Sequence, residues 1–166
     1  DATVTDNDDL DEFMQKLDDR LDLSTCGTVE LWGGEPLLYW KKIKALVPFL
    51  KERVADKCEF SIVTNGSLIN QEKIDFFKEH KIDITMSHDG PGYHLRGPDP
   101  LDNPRKFRFI QQLVDLNDKE ELGFAFSMVW TKENTKDFDH TVNWFVDKFK
   151  DKNVPVSAEG IVEAYD

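Results

Sequence analysis

Cysteine is nearly missing from this chain of 166 residues: Cys26 and Cys58 are the only two. Two thiols cannot build a disulfide-stapled scaffold, and they suit a reducing compartment, so a cytoplasmic location is expected. Basic charge is also short. Against 33 Asp and Glu stand 21 Lys and Arg, for a formal net charge of −12. That balance excludes nucleic-acid phosphates as the main partner, because such binding needs clustered cations. No apolar run approaches the roughly 20 residues of a bilayer span, so no membrane is expected. The opening DATVTDNDDLDEF is acidic and polar, unlike a signal peptide. Neither G-x-G-x-x-G nor a P-loop occurs, nor any internal repeat or low-complexity segment. What the chain does have is core material: 39% hydrophobic residues, with 12 Phe and 4 Trp, enough for one globular domain.

Those apolar residues alternate between two periods. Leu10, Phe13, Met14, Leu17 and Leu21 recur at helical spacing, with a solvated acidic face opposite. GTVELW reads as a strand, and YWKKIKALVPFLKERVA as a helix that Pro48 should kink or break. CEFSIVTNG is a strand closed by an Asn-Gly turn; NQEKIDFFKEH is a helix; IDITMSHDGPG is a strand running into a Gly/Pro loop. Phe107, Ile110, Leu113 and Val114 mark a further helix, LGFAFSMVW a strand, and VPVSAEGIVEAY the last strand. Between these two strands, Phe138, Val142, Phe145, Val146 and Phe149 predict an amphipathic helix. Five strands alternating with five helices, helix first, predict an α/β fold with a parallel sheet, in one domain over 1–166. The stretch from Gly90 to Pro104 is the one connection long enough for a functional lid. The chain starts on Asp1 and stops on Tyr165–Asp166 just after apolar residues, so both ends are expected to be cuts in a longer chain.

In parallel α/β folds, ligands bind where the strands end and the βα loops gather. Those ends read Trp32-Gly33-Gly34-Glu35-Pro36, Thr64-Asn65-Gly66, Ser87-His88-Asp89-Gly90, Trp130-Thr131, and Glu159 to Glu163. Any one of the Gly-Gly, Asn-Gly and Asp-Gly pairs is explained by turn-making alone; three on one rim suggest more. Glycines admit a ligand to backbone N–H and C=O groups. Glu35 can receive a cationic amine, and Pro36 suits the first turn of a helix. An amino-acid-like ligand fits such a loop better than a phosphate does.

WGGEPLL, VTNGSLI and SHDGP, in that order after successive strands, resemble the radical S-adenosylmethionine (SAM) enzymes, nearest to the sulfatase-maturating and peptide-modifying branch. The motif-bearing part runs from about residue 28 to 104, with VWTKEN as a looser match beyond it. The resemblance implies a partial (β/α)6 TIM-like barrel and a SAM site. Gly33, Gly34, Glu35 and Pro36 would take the methionyl amine, and Thr64 and Asn65 would line the site. Ser87 would approach the carboxylate or ribose, Asp89 would shape its loop, Arg96 is a looser carboxylate partner, and backbone at Ile161 and Val162 would flank adenine. It further implies a [4Fe–4S] cluster, an electron donor, a 5′-deoxyadenosyl radical that abstracts hydrogen, and a peptide or protein substrate.

The family's CxxxCxxC cluster motif is not in this sequence. Cys26 and Cys58 fall before strands, at the end away from the ligand, and read as small buried hydrophobes. The resemblance therefore implies a core fragment whose first strand and cluster loop lie in a full-length parent, inactive alone. With that strand missing, TVELW becomes a free edge, and marginal stability or self-association through it is expected. A non-catalytic SAM-binding module, or an α/β enzyme using Glu35 and Asp89 as acid and base, are the alternatives. His88 and His94 have no zinc spacing and read as exposed loop histidines, and His80 and His140 as helix-surface residues. Glu159 and Glu163 could share a face for acid–base work or simply meet solvent.

Overall fold

A computed structural model describes residues 8–95, 97–129, 138–150 and 152–159. Helix α1 (Asp8–Arg20) leads into β1 (Thr28–Leu31), α2 (Trp40–Lys51), β2 (Glu59–Thr64), α3 (Gln71–His80) and β3 (Ile82–Ser87). Helix α4 (Pro104–Asp118), β4 (Phe124–Val129), α5 (Phe138–Phe149) and β5 (Val156–Glu159) complete the described α-helices and strands. The five strands form one sheet in the order β1-β2-β3-β4-β5, and every pairing is parallel. Sequential order with a helix between each pair is the βα winding expected of a barrel-type sheet. Among the described residues β1 pairs only with β2, so no described strand covers its other edge.

Strand alternation gives the sheet two chemically different faces. Phe60, Ile62, Ile84, Met86, Phe124, Phe126 and Met128 are buried and share one core with Ile43, Val47 and Leu50 of α2, Ile74 and Phe77 of α3, Ile110, Leu113 and Val114 of α4, and Phe145 and Phe149 of α5. One layer of helices thus covers one face. The intervening positions are small or polar: Ser61, Val63, Thr85, Ser87, Ala125 and Ser127. Register aligns Ser87 with Ser127 and Ser127 with Ser157 across three strands.

Local chemistry sets the helix ends. The Asn70 side chain accepts from the Lys73 N–H at 3.1 Å. Asn103 Oδ1 accepts from Arg105 and Lys106 N–H at 3.0 and 3.2 Å, and Pro104 opens α4, where its missing N–H costs nothing. Two expectations are corrected here. Pro48 sits inside α2, which continues through it to Lys51, so it does not break the helix, although its ring leaves the Lys44 carbonyl without the usual i+4 N–H. Val142 and Val146 are exposed, while Thr141, Phe145 and Phe149 are buried, so the inward stripe of α5 is rotated from the one the valines suggested. No helix among the described residues is long and apolar enough to cross a membrane.

Candidate functional site

The rim is organised by Glu35. Its Oε1 accepts the Leu37 N–H at 3.0 Å and the Thr64 hydroxyl at 2.8 Å. Its Oε2 accepts the Asn65 N–H at 2.8 Å. The Thr64 hydroxyl in turn accepts the Gly66 N–H at 3.2 Å, and Asn65 Oδ1 accepts the Ser67 N–H at 2.9 Å. One carboxylate therefore caps the short 3-10 turn Pro36–Tyr39 ahead of α2 and clasps the end of β2. A carboxylate has about four lone-pair directions, so three internal bonds leave about one for a ligand.

The two glycines before it are unlike the others on the rim. A Cβ built on Gly33 or Gly34 meets nothing within 4 Å, and neither residue has a left-handed φ. Gly66 has φ +75°, and a Cβ there would come within 2.5 Å of Met86 Cε. Gly66 is glycine for internal reasons; Gly33 and Gly34 are not. Both line a polar pocket of about 250 Å³ together with Trp32, Val63, Thr64, Asn65, Ser87 and Tyr93. They also border a larger, apolar groove of about 390 Å³ that runs beside α1 past Leu10 and Phe13 and includes Glu35 and Pro36. The smaller pocket is the candidate site, because polar groups from three strand ends converge there.

The third strand end is closed and packed. His88 is 0% exposed, correcting the expectation of an exposed loop histidine. Its place follows from the inward parity of Ile82, Ile84 and Met86, which the chain keeps for one more step. His88 Nδ1 accepts the Gly90 N–H at 3.0 Å, which puts the ring proton on Nε2, 3.0 Å from Asp99 Oδ1. Asp99 Oδ1 also accepts the Leu101 N–H at 2.7 Å. The ring stacks between Tyr93 and Trp144, with centroids 4.3 and 5.2 Å away. Burial pushes the imidazole below the ordinary histidine value, against the pull of Asp99. Asp89 Oδ1 accepts the Val129 N–H at 3.1 Å, tying β3 to β4.

The structure thus brings Gly33, Gly34, Thr64, Asn65 and Ser87 to one pocket. Glu35 lies behind it as a clasp, Pro36 starts the adjoining turn, and Asp89 is a latch at the next strand end. Arg96, Trp130, Thr131, Ile161, Val162 and Glu163 lie outside the described residues, and of Glu159 only the backbone, at the end of β5, is described. Sequence reasoning missed Tyr93, which lines the pocket and rests on His88, and Asp99, which pins the long loop. Only the alternation through His88 hinted at them. For the two cofactors the fit differs. The open glycines and three polar strand ends suit an amino-acid-like group such as that of SAM. No group of three His, Cys, Asp or Glu among the described residues could hold a metal, and the two cysteines precede β1 and β2 at the opposite end; the described residues do not fit a cluster.

Comparison with known proteins gives one consistent answer. The radical SAM superfamily model matches residues 3–145. The radical SAM cyclopropyl synthase TigE of Paramaledivibacter caminithermalis is 30% identical over 131 residues, 76% of this chain and 26% of TigE. Native anSMEcpe with bound AdoMet and Kp18Cys peptide superposes with a TM-score of 0.63 at 21% identity, over 90% of this chain and 42% of that one. The coproporphyrinogen III oxidase HemN of Escherichia coli, a radical SAM enzyme, gives 0.63 at 16% identity, over 93% and 37%. The chain spans about a quarter of the length of TigE and about two fifths of these solved chains. With motif order, parallel winding and the family match in agreement, the chain belongs to the radical SAM superfamily, whose cofactors are SAM and a [4Fe–4S] cluster.

Proposed function

We propose that this chain is the central part of a radical SAM enzyme, that it holds SAM at the ends of β1, β2 and β3, and that the whole protein acts on a peptide or protein. The observation that carries this is the glycine pair at 33 and 34, which neither packing nor backbone conformation requires and which borders a polar pocket. Backbone at Gly33 and Gly34 holds the methionyl amine, with the remaining Glu35 lone pair close by. Glu35 also fixes the loop against β2 through Thr64 and Asn65. Ser87 offers a hydroxyl for the carboxylate or ribose, and Arg96 supplies a cation for the carboxylate. Beside a [4Fe–4S] cluster, bound SAM supplies a carbon radical able to abstract hydrogen from a substrate. The peptide assignment rests on anSMEcpe, which has been captured with a peptide.

Titration calorimetry of SAM into the protein tests the site. Saturable binding is expected, and Gly34→Val should weaken it at least tenfold, about 1.4 kcal/mol, with little change in Tm. Binding that ignores Gly34→Val, or no binding, would sink the reading. The cluster ligands belong to other parts of the protein and the electron donor is a separate partner, so this chain alone neither takes up iron nor cleaves SAM, and it works in a reducing, cytoplasmic setting. One stoichiometric [4Fe–4S] cluster after anaerobic reconstitution of the chain would overturn that. The chain also self-associates through the unpaired edge of β1, which Trp32, 76% exposed, directly follows; a strictly monomeric sedimentation profile at all concentrations would refute it.

A further inference from the structure

The ends of β1 and β2 away from the rim bring together the only two cysteines of the chain. Pairing registers Thr28 with Glu59, and the Glu59 N–H donates to the Gly27 carbonyl at 3.0 Å. The segments carrying Cys26 and Cys58 therefore enter the sheet side by side. Continued one step back, that register sets Cys58 opposite Gly27 and Cys26 one residue beyond it; with strands about 4.8 Å apart and a rise of about 3.3 Å per residue, such diagonal neighbours fall within the roughly 4.4–6.8 Å between Cα atoms that a disulfide spans. Both side chains belong to the same apolar cluster, Cys58 buried and Cys26 partly so. The Cys26 thiol donates to the Thr28 carbonyl at 3.2 Å, and the Cys58 thiol lies 3.8 Å from the Glu59 carbonyl oxygen.

We propose that Cys26 and Cys58 are a redox pair that closes reversibly into an intrachain disulfide when the protein meets a peroxide. The two thiols have different roles. Cys26 is the more exposed and reacts first: its thiolate attacks the peroxide, the O–O bond breaks, and a sulfenic acid and hydroxide form. The Cys58 sulfur then attacks the Cys26 sulfur. An S–S bond forms, the S–O bond breaks, and the departing hydroxide leaves as water with the Cys58 proton. Cys58 keeps that proton until then, since burial pushes its thiol upward. The Lys51 ammonium, 3.7 Å from the centre of the Phe60 ring, acts electrostatically on Cys58 and favours the thiolate that must develop. Peroxide is the oxidant and is reduced to water; the two thiols lose two electrons.

The bond would close the loop from 26 to 58, which contains β1, both rim glycines, Glu35 and α2. Glu35 already joins β1's loop to β2 at the rim, so oxidation would tie the same two strands at both ends. This stands apart from the SAM reading, and its test involves no cofactor.

With two cysteines in all, the measurement is direct. The protein is treated with hydrogen peroxide at neutral pH, alkylated with N-ethylmaleimide, and digested for mass spectrometry. A peptide linked through Cys26 and Cys58 is expected, with loss of both free thiols, full reversal by dithiothreitol, and a Tm raised by about 10 °C. In Cys58→Ser, dimedone should trap a sulfenic acid at Cys26; in Cys26→Ser, Cys58 should stay alkylatable. Two alkylated cysteines after peroxide, or links only between chains, would overturn the proposal.

Discussion

Two strand ends on the same rim are built on opposite principles. At the end of β1, Gly33 and Gly34 face open space, and a Cβ on either would touch nothing. At the end of β3, His88 is enclosed by Tyr93, Phe126, Trp144 and Phe145, and a Cβ on Gly90 would come within 3.3 Å of Phe145 and Thr141. Sequence alone writes both as glycine turns with an acid nearby. The first leaves its backbone open to a ligand; the second uses its side chains to hold a long loop shut. Tyr93 connects them, since it rests on His88 and lines the pocket that the β1 glycines border.

The packed end should be the harder to disturb. His88→Ala removes a fully buried ring stacked on two aromatics and leaves Asp99 and the Gly90 N–H without their partner. A loss of about 3–5 kcal/mol is expected in chemical unfolding, a large share of the roughly 5–15 kcal/mol of a whole domain. His88→Phe keeps the stack and loses only the polar contacts, so about 1–3 kcal/mol is expected. Equal costs for the two variants would show that stacking contributes little.

Between the two ends lies the clasp. Glu35→Ala strips three acceptors from Leu37, Thr64 and Asn65. Because Glu35 is only half-buried, water replaces part of what is lost, and about 1–2 kcal/mol is expected. Glu35→Gln keeps one carbonyl oxygen but turns an amide N–H₂ toward a donor, so its cost should be smaller. A Gln variant less stable than the Ala variant would mean that the carboxylate is not what holds the two loops together.

Much of the fold was legible because it rests on local rules. Period-2 and period-3.6 runs placed all ten described α-helices and strands in order, and the turn residues fell at their ends. The rim motifs were legible as a set for the same reason: each follows a strand directly. What escaped was set by contacts distant in sequence. The partners of Glu35 lie about thirty positions downstream, so its role as a clasp has no local signature. His88 was misread because His-Asp-Gly is ordinary loop composition, whereas its neighbours Trp144 and Phe145 come from α5. Val142 and Val146 were misread because a two-sided apolar pattern does not say which stripe meets the sheet.

The glycines allow the same contrast within a single kind of substitution. Gly66→Ala forces a side chain onto φ +75° and against the flexible end of Met86, for about 1 kcal/mol. Gly34→Ala should stay within about 0.5 kcal/mol, while lowering SAM affinity severalfold in the same calorimetric assay. If both substitutions cost the same stability, the β1 glycines serve the fold and not a ligand.

The smallest effect concerns protons at the packed end. Burial holds the His88 imidazole below its ordinary value; Asp99 and Asp89 oppose that, and Lys148 supports it. The unfolded chain has no such restraint and titrates near the usual 6.5. Above that pH both states carry a neutral ring, and the group contributes nothing to pH dependence. As pH falls through 6.5, the unfolded state gains a proton that the folded state refuses, so stability declines until the lower folded value is reached. The slope cannot exceed about 1.4 kcal/mol per pH unit, so a modest loss is expected as the pH falls below 6.5. Other groups titrate over the same range, so the measurement is the difference between the wild type and His88→Phe in paired urea titrations. A gap that narrows as the solution is acidified is expected, because only the wild type pays to keep that ring neutral. A gap that stays constant would mean that His88 takes up its proton while still packed, and that the β3 end is wetter than its contacts imply.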